Sequence, residues 1–154
     1  MTSLSKLLPR DGRSRWLRAG LPATALAVAL GACFLPEART EGALQSSGGM
    51  RPLAACSSGE RRSFFGVDLI EEGGRTLRLV DDPIYGLRGR YSGPDLPEEG
   101  VVLDGSSCRV LRATIAPTGW RINGIRVLEG NATLDCVLPD NSPVRGEVRF
   151  SGCS

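Results

Sequence analysis

The sequence predicts an all-β domain, folded as a small antiparallel sandwich or partial barrel and stapled by disulfides. After Cys33, apolar residues recur in short alternating runs separated by Gly, Pro, Asn and Asp, the pattern of strands and turns. No segment there shows the capped 3.6-residue periodicity of a helix. Few aromatic residues are available for a core, and four cysteines follow Cys33, a composition typical of disulfide-stabilised small domains.

The first predicted strands form a hairpin. Residues 63–70 and 76–80 are apolar-rich, and Glu71-Glu72-Gly73-Gly74 between them predicts a turn. Residues 84–100 are dense in Gly and Pro, which predicts a long loop with at most one short strand. Residues 101–103 form a further short strand.

The next predicted strand covers residues 108–115, followed by a turn at 116–119 and extended chain at 120–122. Asn123-Gly124 is a strong signal for a tight hairpin turn. A tight turn would set Arg121 opposite Arg126, and facing like charges are unfavourable. We therefore predict a loop or bulge there.

The last hairpin has the clearest pattern. Four inward positions alternate with polar ones on the first strand: Ala132, Leu134, Cys136 and Leu138. A turn over residues 139–143 precedes a second strand, in which Val144, Val148 and Phe150 are apolar. Alternation with a period of two residues predicts one buried and one solvated face on each strand.

Residues 1–32 have the composition of a secretory signal peptide. Five basic residues and one acid precede an apolar region that carries no charge from Leu21 to Ala32. This region is shorter than the roughly 20 apolar residues that a membrane-spanning helix needs. Cleavage is therefore expected, in preference to an uncleaved anchor.

The four residues Leu30-Gly31-Ala32-Cys33 resemble the lipobox of bacterial lipoproteins. The resemblance implies a diacylglyceryl group on the Cys33 thiol, cleavage after Ala32, and an acylated new amino terminus. It places the protein in the bacterial cell envelope, with the membrane as a partner through the lipid. Under that family's sorting rule, Phe34 in place of Asp favours the outer membrane, facing the periplasm, over the inner membrane. The alternative is an ordinary signal and a secreted protein.

The cysteine count agrees with this interpretation. Five cysteines leave one without a partner in an exported protein, and lipidation of Cys33 accounts for it. The others can form two disulfides: Cys56, Cys108, Cys136 and Cys153. Counting residues from the predicted turns puts Cys108 level with Cys153, which favours that pair and leaves Cys56 for Cys136. The other two connectivities stay open.

Domain boundaries follow from composition. Residues 33–55 contain Gly and Ser tracts without sustained periodicity, which predicts a flexible tether of about 20 residues. Residues 56–154 then form the β domain. After residue 32 the chain has 14 arginines against 16 acids, so its net charge is near −2, and no nucleic-acid partner is expected.

The sequence offers little for catalysis. It contains no histidine, which removes the usual general base and the usual metal ligand. The acidic pairs Glu71-Glu72, Asp81-Asp82 and Glu98-Glu99 are interpreted as solvated turn charges, because adjacent strand residues point to opposite faces. No zinc spacing or calcium loop is present. We expect no catalytic residues, no metal and no cofactor.

Three classes of function remain open at this stage. The preferred one is a noncatalytic, lipid-anchored envelope protein, a binding or structural accessory module whose partner or ligand is unknown. It would bind through its sheet face or through the loop from Pro83 to Gly100. A secreted-type inhibitor or ligand-binding module is the second, and a hydrolase that uses paired carboxylates is the third.

Overall fold

A computed structural model describes residues 36–154, and the predicted signal peptide and Cys33 lie outside this range. Within it there is no α-helix, so the all-β prediction is confirmed. A 3₁₀ helix, Gly59–Arg62, follows the second strand. The strands are β1 Arg39–Ser46, β2 Gly49–Ser58, β3 Gly66–Glu71, β4 Thr76–Asp82, β5 Gly86–Ser92, β6 Val101–Leu103, β7 Cys108–Ile122, β8 Ile125–Val137 and β9 Pro143–Cys153.

The nine strands form one antiparallel sheet in the order β6-β5-β4-β3-β2-β1-β9-β8-β7. The sheet curls until β5 lies beside β7, which gives a nearly closed barrel. Ser107, in the loop before β7, links the two edges of the sheet: its hydroxyl donates to the Val102 carbonyl of β6 at 3.5 Å, and its own carbonyl accepts the Val137 N–H of β8 at 2.8 Å. Closure of this kind leaves few unpaired strand edges.

The barrel has two ends, which we name after the first strand. β1 begins at the Arg39 end and finishes at the Ser46 end. Because neighbouring strands are antiparallel, the carboxyl end of β9 lies at the Arg39 end, where Ser151 pairs with Arg39. The 3₁₀ helix, the β4–β5 turn and the β7–β8 turn lie at this end too. The Ser46 end carries the β1–β2, β3–β4 and β8–β9 turns and the loop after β5.

The predicted tether, residues 33–55, is wrong from Arg39 onward, since β1 and most of β2 lie within it. Leu44 and Leu53 are the main inward side chains of this segment, so its apolar pattern is sparse. Its glycines serve close packing as well as turns. A Cβ at Gly42 would stand 2.3 Å from the Glu147 carbonyl oxygen, so only glycine allows β1 to approach β9 this closely.

The predicted hairpin of residues 63–70 and 76–80 is confirmed as β3 and β4, and the short strand at 101–103 as β6. The long loop predicted over residues 84–100 is interrupted by β5, which pairs with β4 along its whole length. The inward positions of β5 include Gly89, which is packed against Leu103. An inward glycine weakens the apolar alternation that would have revealed this strand.

A tight two-residue turn joins β7 to β8, where the sequence predicted a loop or bulge. Ile122 pairs with Ile125, and Asn123 and Gly124 have φ values of 52° and 82°. Positive φ at both central residues is the geometry that Asn-Gly favours. The turn predicted at residues 116–119 is instead a bulge within β7, between Pro117 and Arg121.

The facing arginines of this hairpin are accommodated by separate partners. Arg121 does pair with Arg126 in register. The Arg126 guanidinium, however, forms an ion pair with Glu60 of the 3₁₀ helix. Arg121 donates to the Gly124 carbonyl at 2.7 Å. The repulsion expected from sequence is thus offset by a residue distant in the chain.

The four cysteines form two disulfides, but the favoured pairing is wrong. The structure links Cys56 to Cys153 and Cys108 to Cys136. The predicted pairing counted residues from the turns and assumed that the chain turns back near residue 118, which put Cys108 level with Cys153. Because β7 continues to Ile122, Cys108 lies directly opposite Cys136 in the β7–β8 ladder. The other bridge ties β2 to the end of β9 at the Arg39 end.

Candidate functional site

The barrel interior is filled by its own side chains. The inward residues of the last hairpin are buried as predicted, and larger side chains from β1 and β3–β6 occupy the rest. The fully buried side chains include Leu44, Val67, Leu69, Leu77, Leu79, Tyr91 and Leu103. Within residues 36–154, candidate sites must therefore be sought at the two ends and on the outer surface.

Glu71 is not the solvated turn charge that the sequence indicated. It ends β3 on the same face as Val67 and Leu69, and it is 1% exposed. Residues two apart on a strand share a face, so a strand that ends one residue later than predicted carries the carboxyl into the core. The prediction failed because Glu71 was assigned to the turn.

The Glu71 carboxyl has one strong partner. Tyr91, which is fully buried, donates its hydroxyl to Glu71 Oε1 at 2.7 Å. Burial raises the pKa of the Glu71 carboxyl, and the Tyr91 hydrogen bond opposes that rise. Burial also raises the pKa of the Tyr91 hydroxyl. Among the described residues, Glu71 Oε2 has no hydrogen-bond partner.

Arg75 stands beside this pair and ties three segments together. Its Nε donates to Asp95 Oδ1 at 3.1 Å, and its Nη1 and Nη2 donate to Ser46 Oγ at 2.6 Å and Ser47 Oγ at 3.1 Å. The Arg75 hydrogen bond holds the pKa of the Asp95 carboxyl below its usual value. The β1–β2 turn, the β3–β4 turn and the loop after β5 are thereby joined.

We call Ser46, Glu71, Arg75, Tyr91 and Asp95 the Glu71 cluster. It closes the Ser46 end of the barrel with polar side chains. A general acid or base must come within hydrogen-bond reach of its substrate. Glu71 and Tyr91 lie beneath the surface, and the exposed Asp95 carboxylate is paired with Arg75, so the cluster as built stabilises this end of the barrel.

The other carboxylate pairs lie elsewhere. Asp82 accepts N–H bonds from Ile84 at 2.8 Å and Tyr85 at 2.9 Å, which hold its pKa below the usual value and shape the β4–β5 turn. Its neighbour Asp81 is exposed. Glu98 and Glu99 are exposed and line a concavity on the outer face of β4 and β5. The structure does not bring the three pairs together.

At the Arg39 end, the 3₁₀ helix is held against the β7–β8 hairpin. The Glu60 carboxylate accepts the backbone N–H of Arg126 at 2.7 Å as well as its guanidinium. The backbone hydrogen bond is the main cause that lowers the pKa of Glu60. The guanidinium also lies over the Phe65 ring, 5.8 Å from its centroid. The tip of the hairpin is therefore fixed in place.

The Arg39 end exposes three large apolar side chains. Trp120 in the β7 bulge is 57% exposed, and Ile84 and Tyr85 in the β4–β5 turn are 82% and 64% exposed. Arg88 stacks on Tyr85, with its guanidinium carbon 4.5 Å from the ring centroid. Sequence reasoning placed Trp120 in extended chain and missed this surface. The available signal was a tryptophan beside an arginine and close to a tight turn.

The outer face of β1, β9, β8 and β7 is polar by comparison. Glu41 pairs with Arg149, which pairs in turn with Asn131 and so with Thr114. Asp135 binds both Arg109 and Arg145. This alternation of charge is typical of a solvated sheet face. The sequence analysis proposed binding through a sheet face without specifying which strands would form it.

Residues 36–154 contain no group of three or more His, Cys, Asp or Glu side chains arranged to hold a metal ion. In that same stretch, no helix is long and apolar enough to cross a membrane. The lipid site predicted at Cys33 lies outside the described residues, and its acylation stays a prediction. Arg39, where β1 begins, is six residues after it.

No protein-family model, curated protein or solved structure matches this chain.

Proposed function

We propose that the protein is a lipid-anchored, noncatalytic component of the bacterial cell envelope, a binding or structural accessory module that acts at the membrane surface. The lipobox-like residues Leu30-Gly31-Ala32-Cys33 support the anchor. Two disulfides agree with an oxidising compartment outside the cytoplasm. Phe34 after the cysteine supports the outer membrane, facing the periplasm.

One observation carries the proposal: the folded strands begin six residues after Cys33. An extended chain advances at most about 3.6 Å per residue, so these six residues reach no farther than about 22 Å. A long tether would let the domain search the periplasm. A short one confines it to the neighbourhood of the bilayer, so its partner is expected among molecules at that surface.

The noncatalytic assignment draws on the placement of the acidic residues. The chain has no histidine, and its carboxylate pairs lie at separate places in the barrel. Glu71 is buried, Asp82 caps a turn through two backbone N–H groups, and Glu98 is exposed. The partner is an envelope protein or ligand whose identity is open.

The anchor is tested by growing cells with an alkyne fatty acid and expressing the full chain. The wild type should incorporate the label, and Cys33→Ser should lose it and accumulate as the unprocessed precursor. Ala27→Ser is the matched control, because it introduces the same hydroxyl within the apolar region and should leave labelling intact.

Label retained on Cys33→Ser would overturn the lipid assignment. A processed wild-type protein without label, recovered in the soluble fraction, would favour the secreted inhibitor or ligand-binding module instead.

A further inference from the structure

We propose that the Arg39 end of the barrel docks on the bilayer, with Trp120, Tyr85 and Ile84 entering the interface of an anionic membrane. This inference rests on the lipid anchor proposed above. It goes further by assigning an orientation and a contact surface to the folded domain.

The course of the chain supports this orientation. The described residues begin at position 36 and enter β1 at Arg39, so the chain leads into the barrel at this end. A lipid at Cys33 is thus connected to the Arg39 end through six residues. This short connection favours the Arg39 end over the Ser46 end as the end that would face the bilayer.

The chemistry of the exposed side chains matches a membrane interface. Tryptophan and tyrosine are enriched at the headgroup level, because each combines an apolar ring with a polar group. Trp120 and Tyr85 supply such rings, and Ile84 adds the most exposed large aliphatic side chain of the described region. The outer sheet face, with its alternating charges, lacks this combination.

The exposed groups are held on ordered turns. Asp82 fixes the β4–β5 turn through two backbone N–H bonds, and Arg88 stacks on Tyr85. The β7–β8 hairpin that carries Trp120 is tied to the 3₁₀ helix by Arg126 and Glu60. Ordering that precedes binding lowers the entropic cost of placing these side chains in a membrane.

Charge at this end also favours anionic lipid. Arg61, Arg88 and Arg121 are exposed, and cations beside apolar groups are attracted to acidic headgroups. Two of the acids at this end have internal partners, since Glu60 binds Arg126 and Asp82 caps its turn. Asp81 and Glu37 are exposed and oppose the attraction, although Glu37 lies 3.8 Å from the Arg39 guanidinium.

Removal of the signal peptide leaves a single tryptophan, Trp120, as a fluorescent probe of this proposal. The chain has two tryptophans, and Trp16 lies in the predicted signal peptide, so Trp120 is the only tryptophan after Cys33. The processed, lipidated protein is reconstituted into vesicles of phosphatidylethanolamine and phosphatidylglycerol with brominated acyl chains. Trp120 emission should shift to shorter wavelength and be quenched by the lipids brominated nearest the headgroup.

The matched control moves the probe to the other end of the barrel. Trp120→Phe combined with Met50→Trp places the tryptophan at the exposed Met50 site in β2, beside the Ser46 end. Its emission should stay that of an exposed tryptophan, without quenching by brominated lipid.

The two proposals fail in different ways. Protein that floats with the vesicles while Trp120 remains unquenched would overturn the docking and leave the anchor intact. Protein that does not float would overturn the anchor, and the docking with it.

Discussion

At the scale of single residues, the buried pair formed by Glu71 and Tyr91 is the feature whose stability depends most on one hydrogen bond. A carboxyl group removed from water needs partners, and Glu71 has one hydrogen bond to a side chain on a neighbouring part of the barrel. Arg75 lies close enough to lower the pKa of this carboxyl, but burial outweighs that effect. The free energy of unfolding should therefore respond to changes at either member.

Tyr91→Phe removes the donor while keeping the ring. The Glu71 carboxyl would lose its partner inside the core, which costs about 1–3 kcal/mol of unfolding free energy. Urea unfolding measures this cost. Tyr85→Phe is the matched control, because its hydroxyl is exposed and its removal should change stability by less than about 0.5 kcal/mol. Equal effects for the two variants would contradict the structure.

Glu71 should also make stability depend on pH. Its pKa is raised in the folded protein, so the native state keeps a proton that the unfolded chain gives up. Stability from this group is greatest below the usual glutamate pKa of 4.5 and falls as pH rises from there through the higher folded pKa.

The difference in unfolding free energy between wild type and Glu71→Gln should therefore shift in favour of the Gln variant as pH rises from 4.5 toward neutrality. Urea titrations over this interval provide the measurement. Glu72→Gln, at the exposed neighbouring position, should keep the wild-type slope. Parallel curves for wild type and Glu71→Gln would show that this carboxyl does not titrate as proposed.

At the scale of elements, the β7–β8 hairpin depends on its Asn123-Gly124 turn and on the ion pair between Arg126 and Glu60 of the 3₁₀ helix. Gly124 has a φ of 82° and open space around it, so a side chain there would be strained by backbone conformation alone. Gly124→Ala should cost about 1 kcal/mol. Gly105→Ala also meets open space but without a left-handed backbone, and it should be nearly neutral in thermal unfolding. Equal losses for both would contradict the turn geometry.

The sequence predicted those strands whose inward residues are large. The β3–β4 and β8–β9 hairpins follow from alternating Leu, Val and Ile, which a local pattern can reveal. β1 and β2 were missed, and β5 was predicted only as one possible short strand within a long loop, because these strands place Gly, Ser and Ala where the pattern needs bulk. Gly42 and Gly89 are required by neighbouring strands, and that requirement cannot be read from their own segments.

The candidate surfaces were harder to predict for the same reason. Whether Glu71 is buried depends on where β3 ends, and a shift of one residue reverses its face. Trp120 and Tyr85 are far apart in sequence and lie at the same end of the barrel only because strands alternate in direction. The absence of histidine, by contrast, is a property of composition and needed no structure.

At the scale of the whole molecule, the disulfides hold the barrel together in two ways. Cys56–Cys153 closes a separation of 97 residues, whereas Cys108–Cys136 closes 28 between strands already paired. In the chain-entropy treatment, the longer loop stabilises by about 1 kcal/mol more. Cys56→Ala with Cys153→Ala should therefore lower the unfolding free energy more than Cys108→Ala with Cys136→Ala. The opposite order in urea unfolding would contradict this.

Peptide mapping tests directly which cysteines are bonded to each other. Tryptic cleavage at arginine under nonreducing conditions, which leaves the Arg51–Pro52 bond intact, places each cysteine in its own peptide: residues 40–61, 91–109, 127–145 and 150–154. The first should be linked to the last and the second to the third. A link between 91–109 and 150–154 would show the Cys108–Cys153 pairing that the sequence favoured, and it would contradict the strand register of the barrel.

The central claim, a β barrel held at the membrane by a lipid on Cys33, is tested most directly by the mass of its first peptide. Protein extracted from envelopes and cleaved at arginine should give a peptide of residues 33–39 that carries a thioether-linked diacylglyceryl group and an amide-linked acyl chain. A peptide that begins elsewhere, or one with a free thiol at Cys33, would contradict the account.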